Sequence, residues 1–420
     1  MRRIFSNRNF TLIFTGNLVS SIGTTFYNFA ISWFILDLTN SAFQAGLYMA
    51  VGAVVTLLLT PIAGVIADRF NKVRIVYITD YVRGIAIITA GLVIFSGISD
   101  NLTLIVLYAC TIILGINGAL FSPAVTSLQT EIVDPEDLQS ANATMSMIGS
   151  FQGIIGLALG GILYVIVGIN WIFIINGLTF IFSGVSEMFI RHQFVKKEET
   201  LTLERGVDDF KSGLKYLFSI RGLMPLMMGS LMLNFAFVPM GNNAFPYMFN
   251  QVLKTTPLHY SFVGMSISIG TLLGAIIIGN LQGRISVKKS TIYGIFSILV
   301  IFMSITAMFA LIINGSIAYT LFLVAVLLLM GALGVTLMYT NIPMQTAFAR
   351  NIEPEYRGRA FSVTQTLSMA ATPLAVFLGG VVIEFSGLMV LLYSCIAIQV
   401  FIILFVFSNK NIRYFFNNFK

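Results

Sequence analysis

The chain has 420 residues, of which 57% are hydrophobic and 10% are charged, and its formal net charge is +7. At a mean hydropathy of +0.90, the polar residues are too few to cover the surface of a water-soluble domain, which excludes a soluble globular protein. The composition therefore predicts an all-α integral membrane protein in contact with the lipid bilayer.

Apolar runs between charged residues or Gly, Pro and Asn predict about twelve transmembrane helices. A helix needs roughly 20 apolar residues to cross the hydrocarbon core of a bilayer, and each run is about that long. In chain order, the predicted spans cover residues 10–36, 43–67, 75–96, 101–127, 141–167, 169–190, 222–250, 258–282, 290–313, 316–348, 360–384 and 388–408.

The basic residues predict the orientation of these spans. With a cytoplasmic N-terminus, 23 of the 24 Lys and Arg residues fall in inward-facing segments, and only Lys254 faces outward. Such a positive-inside bias indicates an even number of spans, with both termini in the cytoplasm. The basic residues then serve topology, so no nucleic-acid partner is expected.

Two landmarks indicate that the second half of the chain repeats the first. The polar turn from Gly64 to Arg74 is echoed from Gly279 to Lys289, and Asp134-Pro135-Glu136 is echoed by Glu353-Pro354-Glu355, at offsets of 215 and 219 residues. Duplicated halves are typical of secondary transporters. We expect two pseudo-symmetric six-helix bundles, over residues 1–190 and 222–420, joined by a cytoplasmic linker over residues 191–221 with an amphipathic helix.

The polar turn between spans two and three predicts a conformational latch at the inner membrane surface. Asp68 can approach the N-terminus of span eleven at Gly358 and Arg359, where unpaired backbone N–H groups carry partial positive charge. Arg69 can pair with Glu131 at the inner end of span four. The alternative is a solvated turn that supplies only inward positive charge. The predicted latch residues are Gly64, Asp68, Arg69, Arg74, Glu131, Gly358 and Arg359.

Charged residues within the spans are candidates for coupling to an ion. Asp80 and Arg83 are three residues apart on one helix, close enough to pair, and this pair is either structural or part of a coupling site. Glu187 lies near the inner end of span six, and Asp37 and Glu384 lie near outer ends. None of them is at the bilayer centre, so the sequence leaves the coupling residue unassigned.

Uncharged polar side chains inside the apolar spans predict a substrate cavity, since such groups are costly in lipid unless they face a partner or a water-filled path. Nearby aromatic and methionine side chains would add an adaptable apolar wall. This lining suits a large amphipathic molecule better than a sugar or an ion, although helix packing explains any single member equally well. The predicted cavity residues are Asn17, Tyr27, Asn28, Asn117, Phe121, Gln152, Asn234, Phe237, Met240, Asn242, Tyr339, Asn341, Met344 and Gln365.

Motifs of catalysis are missing from the sequence. It contains no Gly-x-x-x-x-Gly-Lys-Ser/Thr phosphate loop, no His-Glu-x-x-His, no serine nucleophile elbow and no cluster of His and Cys. We therefore expect neither an enzyme nor a bound metal or cofactor.

The turn from Gly64 to Arg74 resembles the signature between spans two and three of the major facilitator superfamily. Four further segments resemble the bacterial macrolide-efflux group of drug:proton antiporters: Phe237 to Met240 with Ala244 to Pro246, Thr256 to His259, Gln345 to Ala347, and Pro354 to Ser362. The resemblance implies a monomer in which two six-helix bundles alternate access to a central site. It also implies outward drug transport driven by inward proton flow.

The sequence departs from this resemblance at two places. Exporters of the superfamily often carry Gly-Pro-x-x-Gly-Gly on span five, where this chain has Leu157 after Gly156, and an arginine on span four, where this chain has only uncharged residues from Leu114 to Ala119. We expect a proton-driven exporter of amphipathic drugs such as macrolides. The alternatives are an exporter of a native lipid-like compound or siderophore and, in another class, a membrane sensor or passive scramblase.

Overall fold

The computed structural model describes residues 2–192, 203–281, 285–353 and 356–418, and all regular secondary structure in these ranges is helical. Eleven of these helices are long and apolar enough to cross a membrane. A twelfth span consists of Leu138–Phe151 and Leu157–Ile166 joined by one π-helical turn, Gln152–Gly156. The prediction of an all-α membrane protein with about twelve spans is confirmed.

We number the spans α1 to α12 in chain order. Span α7 contains two π-helical turns, Met240–Ala244 and Met248–Val252. The bounds are Arg8–Thr39 (α1), Ala42–Arg69 (α2), Lys72–Phe95 (α3), Asp100–Ile132 (α4), Leu138–Ile166 (α5), Gly168–Met188 (α6), Leu223–Val252 (α7), Pro257–Asn280 (α8), Val287–Ile313 (α9), Tyr319–Asn351 (α10), Arg357–Ser386 (α11) and Leu388–Ser408 (α12), with a short helix at Arg2–Phe5, a linker helix at Leu203–Ser219 and a terminal helix at Lys410–Asn418.

The chain divides into two compact units. Unit 1 comprises Met1–Asn40, Tyr48–Gly206 and Thr256–Ser261, and unit 2 comprises Ser41–Leu47, Val207–Thr255 and Phe262–Lys420. In unit 1, α6 packs along both α1 and α3, and α3 also packs along α4. In unit 2, α7 packs along α11 and α12, and α9 packs along α10.

Glycine allows α3 and α6 to approach each other closely in unit 1. A Cβ atom at Gly84 of α3 would lie 2.8 Å from the carbonyl oxygen of Gly177 and 2.8 Å from Cδ1 of Ile181, both on α6. Small residues let helix backbones come close in membranes, where packing and hydrogen bonds hold helices together. This contact fixes the register of α3 against α6 directly beside Arg83 and one turn away from Asp80.

Replacing Gly84 by Val should therefore destabilise the protein, because the new side chain would force α3 and α6 apart. Overpacking of this kind costs about 1–3 kcal/mol. The matched control is Gly118→Val on α4, where a Cβ atom would meet nothing within 4 Å. Thermal unfolding in detergent should show a lower melting temperature for Gly84→Val than for Gly118→Val, and equal melting temperatures would contradict the close contact.

The linker and terminal helices both pack on the core of unit 2. Leu217 of the linker helix and Ile412 and Phe415 of the terminal helix are buried in one apolar cluster with Leu223 of α7. Between the linker helix and α7, Gly222 adopts φ +91°, a left-handed conformation that favours glycine. The apolar face of the linker helix therefore covers part of unit 2.

Candidate functional site

A buried cluster of charged side chains joins α3 to α6 in unit 1. Arg83 Nη2 lies 2.5 Å from Asp80 Oδ1, which confirms the predicted pair. The Asp80 carboxyl group also contacts Ser183 and Glu187 on α6, and Ser183 Oγ donates to Glu187 Oε1 at 3.2 Å. Asp80 and Glu187 are both 0% exposed. We call Asp80, Arg83, Ser183 and Glu187 the charge cluster.

The net charge of the charge cluster depends on whether its two carboxyl groups are ionised. It holds two carboxyl groups and one guanidinium, so its net charge is −1 when both carboxyl groups are ionised and zero when one of them is protonated. Within the described residues, Asp80 Oδ2 and Glu187 Oε2 are buried and have no hydrogen-bond partner. A proton shared by the two carboxyl groups would satisfy both oxygens, whose burial without a donor is otherwise costly.

Arg83 connects the charge cluster to a cavity. Its Nε donates to the Thr79 carbonyl oxygen at 3.3 Å, and its guanidinium lies 4.2 Å from the centre of the Phe121 ring and 4.7 Å from that of Phe180. Cation–π contacts and the pair with Asp80 hold the guanidinium in one orientation. Arg83 is consequently both a member of the charge cluster and part of the cavity wall.

The cavity lies inside unit 1 and has a volume of about 400 Å³. Its walls come from α1, α3, α4, α5 and α6, and they combine hydroxyl and amide groups with aromatic and aliphatic side chains. No carboxylate lines it among the residues that the structure describes. The lining residues are Asn17, Ser20, Ser21, Thr24, Arg83, Phe121, Ser122, Val125, Thr126, Gln129, Met145, Gln152 and Phe180.

Helix geometry explains why these residues share one surface. Asn17, Ser20, Ser21 and Thr24 are spaced three or four residues apart, so they lie on one face of α1. On α5, Gln152 stands at the start of the π-helical turn, and its Nε2 donates to the carbonyl oxygen of Ser21 at 3.2 Å. Turns of this kind inside α-helices often occur at functional sites.

The structure brings three of the predicted cavity residues together in this cavity, namely Asn17, Phe121 and Gln152. Tyr27 is instead buried in the core of unit 1, where its hydroxyl lies 3.0 Å from that of Tyr48. Met240 is buried in unit 2. The side chains of Asn28, Asn242 and Asn341 are exposed, those of Asn117, Asn234, Phe237, Tyr339 and Met344 are half-buried, and that of Gln365 lies outside the described residues.

The predicted latch residues are only partly described. Glu131 Oε1 lies 3.1 Å from Lys72 Nζ, and Glu131 Oε2 lies 3.0 Å from His192 Nε2, so both oxygens have partners other than Arg69. Arg69 and Arg74 are exposed, and Gly64 has open space beside it. The side chains of Asp68 and Arg359 and the surroundings of Gly358 lie outside the described residues. The latch stays a prediction.

The two remaining charged candidates have hydrogen bonds of their own. In unit 1, Tyr164 Oη donates to Asp37 Oδ2 at 3.1 Å. In unit 2, Glu384 Oε2 accepts from Ser41 Oγ at 3.0 Å and from the backbone N–H of Phe43 at 3.3 Å. Glu384 thus caps the first turn of α2, where a carboxylate is favourable.

Two features of the site were not predicted from the sequence. One is the approach of Glu187 to Asp80 and Arg83, which depends on the packing of α6 against α3. The other is the polar face of α1, which includes Ser20, Ser21 and Thr24. Their helical spacing with Asn17 was a usable signal.

Comparison with known sequences places the chain among membrane transporters. The profile of the Major Facilitator Superfamily matches residues 13–376. The uncharacterized MFS-type transporter YkuC of Bacillus subtilis is 26% identical, over 88% of this chain and 84% of its own. Macrolide efflux protein A of Streptococcus pyogenes is 24% identical over 88% of each chain. Multidrug efflux pump Tap of Mycobacterium bovis is 25% identical, over 90% of this chain and 87% of its own.

Solved structures show the same fold. A bacterial homologue of the iron transporter ferroportin, in an inward-facing state, has a TM-score of 0.76 at 16% identity, and the match covers 96% of this chain and 98% of the other. The nucleoside transporter NupG has a TM-score of 0.70 at 12% identity, with coverage of 98% and 100%. At these identities the likeness concerns the fold alone.

Proposed function

Because this chain belongs to the major facilitator superfamily, we propose that it is a secondary active exporter of amphipathic drugs such as macrolides, coupled to inward proton flow. The names of two relatives, a macrolide efflux protein and a multidrug efflux pump, support export as the direction and drugs as the cargo. The observation that supports proton coupling is the charge cluster, in which two buried carboxyl groups lie together and one of them pairs with the guanidinium of Arg83 beside a cavity.

Arg83 links the proton to the cargo in this proposal. With both carboxyl groups ionised, the net charge of −1 attracts a cargo that carries a basic amine into the adjacent cavity. With one proton bound, the cluster is neutral and the guanidinium at the cavity wall repels the same amine. Proton and cargo therefore oppose each other's binding, as exchange requires, and the effect is reciprocal.

The remaining parts of the proposal concern topology and conformational change. We place the protein in the bacterial plasma membrane as a monomer with both termini in the cytoplasm, because the positive-inside bias favours that orientation. We assign the turn from Gly64 to Arg74 to a conformational latch that closes on Gly358 and Arg359. Alternating access then exposes the unit 1 cavity to each side of the membrane in turn.

Accumulation of a labelled macrolide tests the proposed cargo and its coupling. Cells that lack their own pumps and express this chain should retain less labelled erythromycin than the same cells with an empty vector. Collapse of the proton gradient by an uncoupler should erase the difference, because that gradient supplies the free energy for export. A fluorescent reporter of internal pH in proteoliposomes should show proton entry when erythromycin leaves.

Two outcomes would change the proposal. Equal accumulation with and without the protein would remove macrolides as cargo, and a metabolite profile of a deletion strain would then identify a native lipid-like compound or siderophore. Export that persists without a proton gradient would remove proton antiport. Movement of a lipid probe in both directions without any gradient would indicate a passive scramblase instead.

A further inference from the structure

The three amides that line the unit 1 cavity each use one polar atom within the protein and keep the other for a ligand. Asn17 Oδ1 accepts from Ser21 Oγ at 3.0 Å, Gln129 Nε2 donates to Asn142 Oδ1 at 3.0 Å, and Gln152 Nε2 donates to the Ser21 carbonyl oxygen. Among the described residues, Asn17 Nδ2, Gln129 Oε1 and Gln152 Oε1 have no partner, and none of these atoms is fully buried.

The other polar groups of the cavity add both donors and acceptors. Thr24 and Thr126 donate their hydroxyl hydrogens to carbonyl oxygens of their own helices, which leaves the hydroxyl oxygens as acceptors. Arg83 donates from Nε to Thr79 and from Nη2 to Asp80, so both N–H groups of Nη1 and the second N–H of Nη2 remain as donors on a side chain that lines the cavity. The wall therefore presents donors from Asn17 and Arg83 among acceptors from Gln129, Gln152 and the hydroxyl oxygens.

Three kinds of ligand group fit this mixture poorly when they enter the cavity without hydroxyl groups beside them. A carboxylate in the cavity would face the amide oxygens of Gln129 and Gln152. An ammonium group alone would leave the donors of Asn17 and Arg83 unpaired. A hydrocarbon group would leave all the donors and acceptors of the wall unpaired, and each polar atom buried without a partner costs free energy of binding. A group of several hydroxyls fits, because each hydroxyl both donates and accepts.

The volume of the cavity and its apolar walls further restrict which ligand group can bind there. About 400 Å³ is near the lower end of the range for pockets that hold a drug-sized ligand, so the cavity suits one part of a large cargo. Phe121, Val125, Met145 and Phe180 supply apolar surface for the C–H faces of a ring. We propose that the unit 1 cavity binds a glycosyl group of the exported amphiphile. This inference rests on the proposed function as an exporter.

A matched pair of ligands tests the glycosyl site: erythromycin, and the same macrolactone ring without its sugars. Binding to the purified full-length protein in lipid nanodiscs would be measured with each ligand. We expect erythromycin to bind about tenfold or more tightly than the sugar-free ring, since a site built for hydroxyl groups discriminates strongly against a ligand that lacks them.

The variant Gln152→Met removes the amide and keeps a side chain of similar length. It should weaken erythromycin binding about tenfold, the effect of one good hydrogen bond, and leave binding of the sugar-free ring unchanged. The matched control is Gln139→Met, because Gln139 is exposed on α5 outside the cavity. Both variants should elute as single species in size-exclusion chromatography.

The possible failures are distinguishable. Equal affinities of the two ligands for the wild-type protein, with erythromycin export intact, would overturn the glycosyl site and leave the exporter in place. The same would follow if Gln152→Met weakened both ligands equally. If neither ligand bound the wild-type protein, macrolide export and the glycosyl site that rests on it would both be overturned.

Discussion

Replacing Glu187 by Gln should abolish proton-driven export of erythromycin and weaken its binding, because the charge cluster is then held in the neutral state that disfavours a basic cargo. Glutamine has the shape of a protonated glutamate but cannot release a proton, so the charge cluster would stay neutral on both sides of the membrane. Uptake into inside-out vesicles energised with a pH gradient should fall to the level of protein-free vesicles. Exchange of labelled for unlabelled erythromycin at a saturating concentration and without a gradient should persist, because it requires no proton transfer.

The matched control for this prediction is Asp100→Asn at the start of α4, which removes an exposed carboxylate. It should leave gradient-driven uptake at the wild-type level. Normal proton-driven uptake by Glu187→Gln would remove Glu187 from the coupling mechanism. Loss of exchange along with uptake would indicate that Glu187 serves structure or cargo binding instead.

Replacing Arg83 by Met should destabilise the protein more than any other single change considered. The substitution leaves the buried carboxyl groups of Asp80 and Glu187 without their cation, and breaking a buried ion pair from one side costs about 3–5 kcal/mol. The melting temperature in detergent should fall sharply. The second substitution Asp80→Asn should recover most of the loss, because it removes one of the two unpaired charges.

The exposed Arg8 provides a control, and Arg8→Met should change the free energy of unfolding by no more than about 0.5 kcal/mol. Additive losses in the Asp80→Asn and Arg83→Met double variant would show that the two side chains do not interact. An unchanged melting temperature of Arg83→Met alone would show that the charge cluster does not contribute to stability.

The helical spans could be predicted from the sequence because a bilayer demands them. Backbone polar groups in lipid must pair within the segment, so each long apolar run becomes a helix. The ends of the helices were harder to predict, because α1 and α4 continue beyond their apolar runs through polar turns such as Thr130 to Ile132. The π-helical turn of α5 also escaped prediction, because Gln152 to Gly156 keeps the spacing of an ordinary helix in the sequence.

The candidate site was predictable only where its contacts are local. Asp80 and Arg83 are one helical turn apart, so spacing alone indicated their pair. Glu187 joins them only because Gly84 and Gly177 let α3 and α6 approach, and periodicity contains no information about which helices become neighbours. Serine and threonine hydroxyls of the cavity were inconspicuous because they can bond to carbonyl groups of their own helix.

Tyr27 illustrates the opposite error in the cavity prediction. Its aromatic ring near polar positions suggested part of the apolar cavity wall, but the hydroxyl of Tyr27 lies within hydrogen-bonding distance of that of Tyr48. Its ring also packs edge-on against Phe173, with ring centres 4.9 Å apart. A polar group inside a membrane span therefore marks either a ligand site or a neighbouring helix, and only the packing distinguishes them.

The terminal helix has a practical consequence for work with this protein. Ile412 and Phe415 are buried against Leu217 and Leu223, and Arg221 Nε donates to Asn411 Oδ1 at 3.0 Å. A chain shortened at Ser408 would expose the apolar surface of unit 2 that the terminal helix covers, and exposed apolar surface promotes aggregation during purification. Affinity tags are therefore better fused after Lys420 than put in place of the terminal helix.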